Sequence, residues 1–284
     1  MNIGITGATG HLGRFVVDAL KRIRSSGDIV ALVRSPEKAS YLRVIARRAD
    51  YDDPDTLDEA LVGVDTLLLI SSNEVGRRTS QHRNVIASAK RAGVHRIVYT
   101  SLLHADRSSL NLAEEHRATE AILKESDVPF TILRNGWYTE NYTGSIPGAL
   151  ARGEFLGAAG DAQISSATRA DYADAAVAVL TAGDHVGKIY ELAGDDAFTL
   201  EELAAEVSRQ TDKTIPYRNL SEAEYARTLA GLGIPPAEAS AIAGWDVAAL
   251  QGALFDKSHQ LSTLIGRPTT PLAVAIAEAI RGMR

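Results

Sequence analysis

Six short runs, mostly apolar, punctuate the first half of the chain: Ile3 to Thr6, Ile29 to Val33, Arg47 to Asp50, Thr66 to Ile70, Arg96 to Thr100 and Phe130 to Leu133. Runs of this length, apolar on both faces, are what strands buried in a parallel sheet require. Between them, Leu12 to Arg24, Pro54 to Leu61, Gln81 to Ala92 and about Leu112 to Ser126 carry a helical period, with Gly27, Gly63 and Gly93 placed where helices stop. Right-handed crossovers then build an α/β fold, a doubly wound parallel sheet of the Rossmann type.

The pattern changes after Leu133. Arg134 to Gly160 is rich in glycine and aromatics without a clear period, long enough for a functional loop. Beyond it, Thr168 to Asp171, Thr199 to Glu202 and Ser221 to Glu224 read as helix-capping boxes, and strands are predicted near Lys188 to Leu192 and Thr214 to Tyr217. The expected division is a nucleotide-binding unit of residues 1–134 plus about 162–182, and a smaller, mainly helical substrate lobe of about 135–161 plus 183–284.

Composition narrows the chemistry. The 284 residues carry 30 Lys and Arg against 36 Asp and Glu, a formal charge of −6, so neither nucleic acid nor an anionic membrane is an expected partner. The absence of cysteine excludes thiolate nucleophiles, cysteine-zinc sites and iron–sulfur clusters, so any redox chemistry needs a bound cofactor. No metal site is expected. The start of the chain lacks a basic stretch followed by an apolar core, and the longest apolar runs, such as Ala175 to Leu180, are far too short to span a bilayer. A cytoplasmic location is expected.

Directly after the first run stands Thr6-Gly7-Ala8-Thr9-Gly10-His11-Leu12-Gly13, a G-x-x-G-x-x-G turn opening the first helix. Gly7 permits the tight exit from the strand, Gly10 lets backbone approach a pyrophosphate, and Gly13 lets helix pack close to sheet. Strand, turn and helix together make this a dinucleotide fingerprint. The residue after the second run chooses the dinucleotide, since an acid there accepts from the ribose 2′-OH whereas Arg pairs with a 2′-phosphate. It is Arg34, with no carboxylate at the strand end, which favours NADPH; the competing reading is an ordinary surface cation.

Later strand ends complete the candidate cleft: Ser71-Ser72-Asn73, read as functional, and Asp50-Tyr51 and the run from Thr100 to His104, each of which could equally be a turn that caps its strand. Asn135, Gly136, Trp137, Tyr138, Thr139 and Glu140 offer a flat, polar-edged wall for a nicotinamide and an aromatic acceptor, or else plain core. Arg169 could reach back to this cleft or pair with a nearby acid. None of the nine tyrosines has Lys four residues on, so the dyad of alcohol-forming short-chain dehydrogenases is absent; where it would lie, the chain has His116 and Glu120, with His116 read as a surface helix residue. No catalytic residue is assigned.

Ser101-Leu102-Leu103-His104-Ala105-Asp106, Leu133-Arg134-Asn135-Gly136-Trp137-Tyr138, Glu74-Val75-Gly76, Gln81 to Ile86 and Ala167 to Tyr172 carry a likeness through nearly the whole chain. With the glycine turn, they resemble the NmrA-like group of atypical short-chain dehydrogenases, most nearly its bacterial type 2 NADPH-dependent quinone oxidoreductases. The resemblance implies hydride transfer from NADPH to a small-molecule quinone lying between the two parts of the chain. It also implies NADPH contacts at Gly7 to Leu12, Arg34, Ser71 to Asn73, Asn135 to Glu140 and Arg169. A second reading is an NADP(H)-binding redox sensor without turnover. The oligomeric state, monomer or homodimer, is left open.

Overall fold

The computed structural model of the protein describes residues 1–283. The apolar runs become strands: β1 (Ile3–Thr6), β2 (Ile29–Val33), β3 (Ile45–Arg48), β4 (Thr66–Leu69), β5 (Arg96–Leu102), β6 (Phe130–Asn135), β7 (Phe155–Gly157), β8 (Ile189–Leu192) and β9 (Tyr217–Asn219). The crossovers of the first half are α1 (His11–Lys21), α2 (Pro54–Ala60), α3 (Arg78–Arg91) and α4 (Ala113–Glu125). Then follow α5 (Glu140–Thr143), α6 (Ile146–Arg152), α7 (Arg169–Thr181), α8 (Leu200–Thr211), α9 (Glu222–Gly231), α10 (Pro236–Leu250), α11 (Gln260–Ile265) and α12 (Leu272–Gly282).

Seven strands form one parallel sheet in the order β3-β2-β1-β4-β5-β6-β8. The order reverses between β1 and β4, so the crossovers leave in opposite directions there and open a crevice beyond the carboxyl ends. One face of the sheet packs Ile3, Ile5 and Val98 against Val16, Leu20, Ala176 and Leu180 of α1 and α7. The other packs Leu67, Leu69 and Tyr99 against Leu57, Val85, Ile86 and Leu123 of α2, α3 and α4. A third core of Tyr142, Ile146, Phe155, Leu200, Leu203, Ala249 and Ile276 sits beside the sheet edge with the parallel pair β7 and β9.

The expected boundary at residue 183 needs correcting. β8 lies beyond it, yet it pairs in register with β6, Ile132 opposite Ile189 through Asn135 opposite Leu192, and Leu261 of α11 joins the core under α7. The physical reason is the edge of the sheet: without β8, β6 would present unpaired N–H and C=O groups. Two other predicted strands shift, their starts by two and three residues. β3 begins at Ile45 rather than Arg47, and β9 starts at Tyr217, because Pro216 has no N–H and serves the pairing only through its carbonyl, which accepts from Phe155 N at 2.9 Å.

The lobe is clipped to the sheet by backbone. Gly136 N donates to Leu192 O (2.7 Å), Thr139 N to Ala167 O (2.9 Å), Ala167 N to Trp137 O (3.1 Å) and Gly194 N to Ser165 O (2.9 Å). A Cβ on Gly194 would stand 2.1 Å from Ser166 O, so only glycine allows this crossing.

At the crevice, Gly7 turns out of β1 with φ +57°, and a Cβ on Gly13 would fall 2.2 Å from Gly7 O and 2.7 Å from Ala8 Cα. Both obstacles are backbone, so α1 would have to move away from the strand. Gly13→Ala is therefore expected to cost roughly 1–3 kcal/mol, whereas Gly183→Ala, with nothing within 4 Å of its added Cβ, should stay within about 0.5 kcal/mol of the parent. Urea titration of both variants checks this; equal midpoints would contradict the packing account.

Candidate active site

The diverging strand ends are tied by hydroxyl groups. Thr6 Oγ1 donates to Leu68 O (3.2 Å) and accepts from Ile70 N (2.9 Å), Thr100 Oγ1 accepts from Ser71 N (2.9 Å), and Tyr51 Oη donates to Ile70 O (2.9 Å). Above this rim, Gly10 begins α1 with no side-chain cap and no acid in the first turn. Those first N–H groups, with the positive end of the helix, face outward as an anion site. Thr9, Gly10 and His11 are exposed around it, while Ala8 and Leu12 are buried beneath it.

Arg34 follows β2 as the sequence placed it. Its side chain is 70% exposed, and its guanidinium meets only Glu74, at 3.4 Å. An exposed pair of that kind is weakly held, so the guanidinium is available to a phosphate. Asp50 instead behaves as a turn residue: its carboxylate accepts from Asp52 N (3.1 Å) and its amide donates to Thr56 Oγ1 (3.0 Å). Ser72 and the exposed Asn73 continue the rim from β4.

Between rim and lobe lies a cavity of about 710 Å³, lined by Ser71, Asn135, Gly136, Trp137, Tyr138 and Arg169 among the expected residues. The buried Asn135 lines this space, with its amide beside the Tyr138 hydroxyl. Arg169 stacks its guanidinium 4.4 Å from the Tyr138 ring centre, and Tyr172 meets the same ring edge-on at 5.3 Å. Burial raises the Tyr138 phenol above its ordinary pKa, so it stays protonated. Thr139 and Glu140 do not line the cavity. Thr139 Oγ1 bonds Ser166 Oγ (2.9 Å), and the Glu140 carboxylate accepts from Arg169 N (2.9 Å) and pairs with its guanidinium (3.4 Å), so both act by holding the loop against α7.

The sheet-side wall holds residues the sequence did not single out. Arg78 opens α3, is buried, donates from Nε to Ser72 O (2.7 Å), and leaves Nη1 without a hydrogen-bond partner, 3.7 Å from Glu115. His116 is a correction: it is only 5% exposed, lines the cavity, and bonds Tyr99 Oη at 2.7 Å through Nδ1. A chain of hydrogen bonds continues from it. Ser72 N–H donates to His82 Nε2 (2.9 Å), so His82 donates from Nδ1 to Thr119 Oγ1 (2.9 Å). The Thr119 hydroxyl donates to Glu115 O (2.9 Å), and the Tyr99 hydroxyl shares one hydrogen with His116 Nδ1. Burial, reinforced by the Arg78 charge, holds His82 down at about 3 and His116 well below the imidazole range; both are neutral near pH 7.

Glu120, in the position where the dyad lysine would stand, is buried and accepts from Arg134 at 2.9 and 2.8 Å and from Ser101 Oγ at 2.6 Å. Arg134 also meets Asp106 and Glu191, both at 2.7 Å. The dyad position is thus part of an ion-paired floor, and no lysine lines the cavity among the described residues. The lobe contributes Tyr142, Tyr225, Trp245 and Asp246. Asp246 was also missed, although a lone acid in the apolar run Ala239 to Leu250 is a readable signal.

Residues 7–183 match the profile of a NAD(P)H-binding family. The chain is 54% identical to quinone oxidoreductase 2 of Escherichia coli over 278 residues, 97% of each chain. It superposes on the NADPH-dependent quinone oxidoreductase of that organism in complex with NADPH at a TM-score of 0.96, covering 98% of this chain and 99% of that one. The Citrobacter triphenylmethane reductase complexed with NADP(H) superposes at 0.94 with 35% identity, covering 98% and 100%.

Burial lifts the Asp246 carboxyl from 3.8 to about 6. The folded state therefore binds this proton more tightly than the unfolded chain, so Asp246 costs no stability below about pH 4, and its cost grows through pH 6 and persists above. Asp246→Asn is expected to stabilise the protein at pH 7.5 by up to about 3 kcal/mol and to change it little at pH 4. Denaturant midpoints at the two pH values measure this, and a gain independent of pH would contradict it.

Proposed function

The chain belongs to the NAD(P)H-binding family, and from that premise we propose that it passes hydride from NADPH to a quinone, releasing a hydroquinone. The observation that carries this reading is the pairing of an outward-facing dinucleotide turn with an aromatic-walled cavity whose wall offers hydrogen-bond donors and no Tyr–Lys dyad.

The residues present fit the cofactor. The uncapped α1 N-terminus suits a pyrophosphate, Arg34 a 2′-phosphate, and the Asn135 amide at the cavity wall, which carries both donors and an acceptor, a carboxamide. NADPH, when bound, supplies the hydride. Asn135 and the Tyr138 ring would orient the nicotinamide end, and Arg169, fixed over that ring by Glu140 and Asn141 (3.0 Å), would keep the loop closed against it. Arg78 and His116 line the same volume. They place a cation and an imidazole beside the acceptor oxygen as negative charge develops there, and a preorganised dry site makes such groups effective. A quinone becomes aromatic as it accepts hydride, so its phenolate oxygen demands less protonic help than an alkoxide would. The ion-paired Glu120 is consistent with that lower demand.

No helix among the described residues is long and apolar enough to cross a membrane. We place the activity in the cytoplasm, where NADPH is supplied.

Two substitutions test the assignments in steady-state assays with 1,4-benzoquinone. Arg34→Asp is expected to weaken NADPH by about 10- to 100-fold, the worth of a charge-assisted hydrogen bond, with NADH little affected; equal losses would remove Arg34 from the 2′-phosphate. Arg78→Met is expected to lower kcat about 100-fold while NADPH affinity measured by equilibrium binding is retained. Unchanged kcat would show that the Arg78 charge does not act on the acceptor, and tight NADPH binding by the parent with no quinone-dependent turnover would favour a sensor.

A further inference from the structure

The lobe end of the cavity holds one carboxylate that no cation among the described residues answers. Asp246 is 8% exposed, lines the cavity, and accepts a single hydrogen bond, from Ala158 N to Oδ2 at 2.7 Å. Oδ1 has no partner, and no Lys, Arg or His lies within salt-bridge distance, among the described residues. An Asn carbonyl would hold Ala158 N equally well, so the backbone bond does not explain the charge. Burying an uncompensated carboxylate also weakens the fold, as its raised pKa records.

The surroundings are aromatic. Tyr142, Tyr225 and Trp245 line the same end of the cavity, Trp137 meets Trp245 edge-on at 5.4 Å, and the Tyr142 hydroxyl is buried without a partner. Aromatic faces grouped around a desolvated carboxylate form the chemistry that receives an organic cation, through the ring quadrupoles and the charge together. Trp137 and Tyr142 flank Tyr138 in sequence, so this end lies next to the loop that walls the reaction site.

We infer that the cavity selects aromatic acceptors bearing a cationic substituent, which seats against Asp246 between Tyr142, Tyr225 and Trp245. This specificity rests on the reading of the cavity as the acceptor site of a quinone reductase, and its test avoids turnover so that the two stand or fall separately. The chain has two tryptophans, both at this cavity, so intrinsic fluorescence reports its occupancy. NADP⁺-loaded protein is titrated with 4-hydroxyphenyltrimethylammonium and with 4-tert-butylphenol, which share a shape and differ in charge.

The cation is expected to bind at least about tenfold more tightly, and Asp246→Asn should shrink that preference to roughly threefold or less. Tyr225→Leu is the second variant, expected to weaken the cation by about threefold or more while sparing the neutral phenol. Equal or tighter binding of the neutral phenol by the parent overturns the inference. So does a preference that survives both substitutions. Failure of the quinone-reductase reading would show elsewhere, as absence of quinone-dependent NADPH oxidation.

Discussion

The structure depends on the parting of β1 and β4. At that point the crossovers leave the sheet in opposite directions, and two neighbouring strands end without a helix to cover them. The gap would collapse or flood without support. Thr6, Thr100 and Tyr51 bind its rim through backbone groups that the sheet no longer pairs, and Gly13 brings α1 against the first turn closely enough that its free N–H groups overlook the gap. The cofactor shelf, the cavity beyond it and the lobe that roofs the cavity all take their positions from this edge.

The cavity walls divide the work by polarity. On the sheet side, some polar groups are locked and others are open: Glu120, Arg134, Glu191 and Ser101 satisfy one another, while Arg78, His116 and Asn135 line the cavity. Locked groups fix the floor, and the open ones retain the capacity to bind a ligand, at a cost to folding that a purely structural wall would avoid. The lobe repeats the pattern with aromatic faces and Asp246. A reaction that ends in an aromatic product needs positioning and charge stabilisation more than a strong acid, and this wall offers those two.

Much of this was legible in the chain. The glycine turn needed only its position between an apolar run and a helical one, because both neighbours are local in sequence. Arg34 followed from the end of the second run for the same reason. What escaped depends on contacts distant in sequence. β8 joins the sheet because β6 needs a partner, which no local pattern states. His116 looks like a polar residue on a polar helix until α4 is seen to turn it onto Tyr99, and Arg78 was hidden because α3 starts three residues before the predicted Gln81. Thr139 and Glu140 lie within the right loop, but α7 claims their side chains. Those assignments required the third dimension.

Direct hydride transfer from NADPH to a quinone within this cavity is open to a stopped-flow single turnover, mixing enzyme preloaded with NADPH, either unlabelled or deuterated at nicotinamide C4, with 1,4-benzoquinone. Quinone-dependent loss of NADPH absorbance, one hydroquinone per NADPH, and a primary isotope effect on that step are expected. Stoichiometrically bound NADPH that stays reduced in the presence of quinone would contradict direct transfer.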